Sequence, residues 1–152
     1  MEIKNFCSFA CSVPVTDRAK PCPGEIENWK WKMIDRRKNE ILDLSFQFAL
    51  DIIEVYKHLK NSNEYVMSKQ LLRSGTSIGA NINEAQAALT KKEFISKMSI
   101  SLKESWETRY WLELLVKSKY LSDYKKNFQI QKDIESIINM LTKIIKSSQN
   151  NL

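Results

Sequence analysis

The stretch from Leu71 to Leu115, LLRSGTSIGANINEAQAALTKKEFISKMSISLKESWETRYWLELL, constrains this chain more than any other. Apolar side chains recur there every three or four residues, the spacing that gathers them on one side of a helix. Thr90 and Glu93 break the run with the spacing of a capping box, in which a hydroxyl and a carboxylate satisfy the free N–H groups of a helix start. Two helices joined by a short turn therefore follow. Gly75 and Gly79 lie four residues apart inside the first of them. A helical Gly costs about 1 kcal/mol against Ala, so close approach of another backbone, or a kink at Gly79, is expected. A phosphate-cradling loop is the weaker reading, because no strand precedes the glycines and no Gly-Lys-Ser/Thr follows.

The same periodicity continues on both sides. Ile41, Leu44, Phe48, Ile52, Val55 and Leu59 predict a first helix over about 37–60. Met67, Leu71, Ile78, Ile82 and Ala85 line a second over 66–87, and the third runs from 91 to about 118. Ile130, Ile134, Ile137, Leu141 and Ile144 predict a fourth, capped by Ser122 and ending near 147. With only three glycines and three prolines in 152 residues, little punctuation is left for strands. Short connections favour an all-α, up-down-up-down four-helix bundle over 36–150. Residues 1–35 lack periodicity and hold all three prolines and all three cysteines. They read as a disordered arm or as sequence upstream of a start at Met33, ahead of a segment docking on another chain.

Several classes of function lose support. Cys7, Cys11 and Cys22 are too many to pair off and have no neighbouring histidine, so no metal is expected and a reduced, cytoplasmic setting is the plain reading. No apolar run approaches the ~18 residues of a membrane span. No nucleophile–base set or nucleotide loop is present, so neither a cofactor nor an enzymatic activity is expected. Lone His58 reads as a surface or capping residue. The net charge is +6, with its excess confined to 66–152; residues 90–120 carry seven basic and four acidic side chains. Such a bias suits an anionic partner, and it also aids solubility.

The segment SGTSIGANINEAQAA, followed by KKEFISKMSISLKESWETRYWLELL, resembles the 23S ribosomal RNA intervening-sequence proteins over about Ile41 to Ile145. The resemblance implies a non-enzymatic bundle assembling into rings of five, often encoded within inserts in ribosomal RNA genes. A related branch, the accessory variability determinants of retroelements, implies a reverse transcriptase and nucleic acid as partners. It carries over no catalytic motif.

Residue by residue, four features invite a functional reading. Leu42, Phe46, Ala49 and Ile53 form a second apolar stripe on helix 1, and Ile100 and Leu114 point away from the core side of helix 3. Together they predict a homo-oligomer, with a wide core face as the simpler alternative. Arg109 falls among Met98, Leu102, Ser105, Leu112 and Val116, so a buried pair with Asp51 is expected, with Glu84 and Glu104 as alternatives. Lys125, Lys132, Lys143 and Lys146 share one side of helix 4 over ~30 Å, and Lys92, Lys103 and Lys117 one side of helix 3. Stripes of this kind predict contact with RNA or DNA phosphates and little sequence preference, whereas a protein-interaction scaffold would use the apolar faces instead. Trp106, Tyr110 and Trp111 are expected in packing or an interface rather than in base stacking.

Overall fold

The computed structural model describes residues 39–150, and four helices account for most of them: α1 (Glu40–Asn61), α2 (Met67–Gln86), α3 (Lys91–Lys117) and α4 (Asn127–Asn150). No strand occurs among the described residues. The expectations for residues 1–35, including the cysteines and the start at Met33, lie outside them. Each helix packs closely on two others, α1 on α2 and α4, α3 on α2 and α4, and the diagonal pairs lie farther apart. The isoleucines and leucines predicted for α1, α2 and α4 meet in one core, joined by Leu121 from the last connection.

The tightest packing surrounds α2. A Cβ on Gly79 would sit 3.5 Å from the Ser45 carbonyl oxygen, so the α1 backbone passes directly over this glycine. A Cβ on Gly75 would meet Cγ2 of fully buried Ile52 at 2.9 Å. The expected close approach is therefore to α1, and α2 runs through both glycines without interruption. On its other side α2 meets α3 across small hydroxyl side chains. Ser74, Ser101, Ser105 and Thr108 are all fully buried, and the Ser101 hydroxyl donates to the Ile78 carbonyl across the seam at 3.0 Å. Ser74, Ser105 and Thr108 donate to carbonyls three or four residues back in their own helices. Among the described residues no buried side-chain N or O lacks a partner, so the polar seam carries little desolvation cost.

The connections are fixed by backbone chemistry. Asn63 adopts φ 60° after α1, and the Glu64 N–H then reaches the Leu59 carbonyl while Asn63 reaches Lys60. This is a Schellman ending, with Asn at the left-handed position. The Glu64 side chain turns forward and accepts from the N–H groups of Val66, Met67 and Ser68 at 3.0, 2.9 and 2.6 Å. Burial alone would raise its carboxyl pKa, but these three donors outweigh that effect and hold it below the usual carboxylate value. The predicted cap of α3 forms: Thr90 Oγ1 accepts from the Glu93 N–H at 3.2 Å, and Glu93 accepts from the Leu89 N–H at 3.0 Å.

Three expectations need correction. Ser122 does not cap α4; its hydroxyl donates back to the Lys119 carbonyl, and the helix begins at Asn127. The delay follows from Lys119, whose φ of 67° ends α3 and sends the chain through two further turns. The inward side of α3 is also rotated, running through Met98, Ser101, Ser105, Thr108, Leu112 and Leu115. Arg109 is thereby turned to the flank, where half-exposure spares it the cost of burying a charge. Finally, Leu42 is only 8% exposed and belongs to the core, so α1 presents a wider inward face than its first stripe implied.

Three substitutions test this packing and capping. Gly79→Ala should raise the midpoint of denaturant unfolding, by up to about 1 kcal/mol of helix propensity, because its Cβ meets only ordinary contact. Gly75→Ala should lower it despite the same gain, since overpacking against Ile52 costs about 1–3 kcal/mol. Glu64→Gln should destabilise by about 1 kcal/mol at pH 7, the scale of a lost cap. Because the folded-state pKa of Glu64 is depressed, its contribution is complete above the unfolded value of 4.5 and fades as pH falls through the folded one. The gap between parent and variant should therefore close on acidification; a constant gap would argue against the charged cap.

Candidate nucleic-acid interface

Charge in this bundle is sorted between seams and outer faces. Among the described residues five ion pairs link one element to another across the seams. Lys126, in the turn before α4, binds Asp51 at 3.0 Å and Glu54 at 2.8 Å on α1. Hydrogen bonding to Glu54, then to Asp51, holds its ammonium well above the ordinary lysine pKa. Beside it, burial and then the Glu54 charge raise the phenol pKa of Tyr124, whose ring lies 5.1 Å from that of half-buried His58. Arg109 Nε lies 3.0 Å from Glu135 on α4 and 3.2 Å from Glu113 on α3. Arg73 approaches Glu107 at 3.7 Å, and Lys97 bonds Glu84, both between α2 and α3.

The expected Asp51–Arg109 pair is thus replaced by two separate links. Asp51 ties α1 to the start of α4, and Arg109 ties α3 to the middle of α4. Sequence reasoning passed over Lys126, Glu135 and Glu64. A signal existed only for Glu64, an acid just ahead of a helix start. The other two are specified by which helices become neighbours.

Of the predicted basic residues, Lys132, Lys143 and Lys146 lie exposed on the outer face of α4, together with Asn139. Lys125 falls in the turn ahead of the helix, so the stripe on α4 spans about 21 Å rather than ~30 Å. Lys92, Lys103 and Lys117 lie exposed on α3. Lys117 approaches Glu113 at 3.9 Å. Lys92, Lys103, Lys132, Lys143 and Lys146 have no ion-pair partner among the described residues. The acids nearest the α4 face are engaged elsewhere, Glu135 by Arg109 and Asp133 by the Gln129 amide at 2.8 Å. The two helices that carry these outward lysines are packed neighbours, so the lysine faces stand on adjacent corners of the bundle.

The predicted apolar contacts divide. On α1, Ala49 and Ile53 are half-buried, Phe46 is 43% exposed, and Leu50, which the sequence pattern had not singled out, is equally so. On α3, Ile100 is exposed and Leu114 half-buried. Trp111 is tucked in, with its indole N–H donating to Glu107 at 3.3 Å, whereas Trp106 and Tyr110 are 52% and 59% exposed. The Arg109 guanidinium lies 5.0 Å from the Trp106 ring centre. Among the described residues no group of three or more His, Cys, Asp or Glu side chains could hold a metal, and no helix is long and apolar enough to cross a membrane.

A crystal structure described as a protein of unknown function from the S23 ribosomal protein family of Bacteroides thetaiotaomicron VPI-5482 is 48% identical to this chain. The match covers 70% of this chain and 98% of that one, with a TM-score of 0.67. No curated protein matches. The family model described as 23S rRNA-intervening sequence protein matches residues 37–143, a span that contains nearly all of the four helices. The chain belongs to the 23S rRNA-intervening sequence protein family.

Proposed function

We propose that this protein is a non-enzymatic, self-associating bundle that binds the phosphate backbone of RNA or DNA through the lysine faces of α3 and α4. The observation that carries this reading is the sorting of charge. Cross-helix seams hold the carboxylates of Asp51, Glu54, Glu84, Glu107 and Glu135, and five outward lysines are left without acidic partners. Such ammonium groups exchange condensed counterions for direct phosphate contact, a gain that requires no particular base sequence.

Self-association rests on the outward apolar side of α1, where Leu50 lies beside Ile53, and on Ile100 at the α2-side edge of α3. α1 and α3 occupy diagonal corners, so these faces point away from each other. Joining one to the other between copies is a head-to-tail contact, which closes into a ring when the rotation per copy divides the circle. The ring of five implied by the family resemblance is one such closure. Repetition around a ring would array the lysine flanks and raise avidity for a polyanion. A scaffold that recruits a protein such as a reverse transcriptase through the apolar faces is the competing use of the same surfaces.

Filter binding of a structured RNA and a duplex DNA at two salt concentrations tests the first part. Retention should fall as salt rises and should fall again in Lys132→Glu with Lys143→Glu, with a shallower salt dependence in that variant. No retention of either nucleic acid at low salt would transfer the case to the scaffold. Light scattering tests the second part: the parent chain should exceed the monomer mass, and Leu50→Lys should reduce it. A monomeric parent would remove the ring.

A further inference from the structure

Trp106 and Tyr110 are the large aromatic side chains that α3 leaves in water. They lie one turn apart, so their Cα atoms are separated by about 6 Å along the axis. Their flank is identifiable from their neighbours. Arg109, which covers one side of the Trp106 ring, reaches across to Glu135 of α4. Glu107 and Trp111, by contrast, face α2 through Arg73. Trp106 therefore leans toward the α4 side, the Tyr110 ring stands edge-on to Trp111 at 5.2 Å on the outward side of α3, and Ile100 is turned toward α2. Lys103 precedes Trp106 by one turn, and Lys117 follows Tyr110 by two.

We infer that Trp106 and Tyr110 form a stacking platform for unpaired bases, so that the nucleic acid bound by this flank is single-stranded. The inference rests on the nucleic-acid reading above and narrows it. A duplex buries its base faces in its own stack and offers this flank only phosphates, for which two aromatic rings are useless. A single strand offers phosphates to Lys103, Lys132 and Lys146 and base faces to the rings, the combination by which sequence-tolerant single-strand binders work. Arg109 adds order. Its contacts with Glu113 and Glu135 fix the guanidinium, and the guanidinium fixes the orientation of the Trp106 ring from one side. The platform is thus held before any ligand arrives, which lowers the entropic cost of stacking. A protein partner of largely apolar surface fits this flank less well, because unpaired Lys103 would have to be desolvated beside the rings.

The test uses the full chain and fluorescence anisotropy with labelled oligo-dT, oligo-U and a mixed-sequence duplex of equal length. Trp106→Ala and Tyr110→Ala should each weaken single-strand binding about 5- to 100-fold, the range of one lost stacking contact. Trp106→Phe should recover most of the loss, and duplex binding should stay near that of the parent. Both residues are exposed, so helicity by circular dichroism should be unchanged in every variant. Unchanged single-strand binding in both alanine variants, or equal weakening for single strand and duplex, would overturn the platform and leave backbone binding standing. A drop in mass by light scattering in Trp106→Ala would overturn it by assigning the ring to a contact between copies. Failure of the parent chain to bind any of the three probes at low salt would remove the platform together with the reading beneath it.

Discussion

Everything in this bundle follows from how closely α2 sits against its neighbours. At Gly79 the α1 backbone passes within van der Waals distance of where a side chain would begin, and at Gly75 the space is taken by Ile52. Two helical glycines and a row of buried hydroxyls are poor choices for an isolated helix, on grounds of propensity. They are good choices for a helix that must be approached from two sides. The hydroxyls donate within their own helices, apart from Ser101, which bonds across to Ile78. Dispersion contacts between backbones then stand where larger apolar side chains would otherwise hold the helices apart. Leu42 belongs to the core, and the apolar residues left outside, such as Leu50, lie farther round α1.

The close seam also governs where charge ends up. Helices that pack on small residues bring their flanking side chains within reach of each other, and each flank here carries an acid opposite a base. Arg73 with Glu107 and Lys97 with Glu84 border the α2–α3 seam, while Arg109 with Glu135 borders α3–α4. Exposed pairs of this kind add little stability individually. Their larger effect is on the field outside. A modest excess of +6 over the whole chain becomes directional where Glu84, Glu107 and Glu135 are paired at the seams and lysines without partners are left on the outer faces of α3 and α4.

Periodicity made the helices legible, and the capping pair Thr90–Glu93 made the turn between α2 and α3 legible to the residue. What stayed hidden depended on partners distant in sequence. Counting Leu102 and Val116 inward beside Ser105 placed Arg109 in the core, because Ser101 and Thr108 look like surface residues in isolation. The hydroxyls of Ser101, Ser105 and Thr108 can go inward only because α2 is close and their hydrogen bonds are local. The start of α4 was misplaced for a comparable reason. Ser122 has the right chemistry for a cap, but the left-handed turn at Lys119, an unusual conformation for lysine, redirects the chain first. Of the candidate site, the lysines of α3 and α4 were legible as stripes; which of them stay without an acidic partner was not, since it depends in part on where Glu135 and Asp51 go.

Arg109 connects these levels. In the core it would have been a charge needing rescue; on the flank it serves three neighbours at once. It bonds Glu113 within α3, binds Glu135 across to α4, and lies over the Trp106 ring. By occupying Glu135 it removes a negative charge from the edge of the α4 lysine face. By covering one side of Trp106 it limits how that ring can turn, so the packing of α3 on α4 is transmitted to an exposed aromatic. A lysine could supply the charge at this position but not the planar group that pairs with carboxylates and stacks on an indole together. The identity of one half-buried side chain therefore links the register of two helices to the electrostatics and the shape of the surface they present.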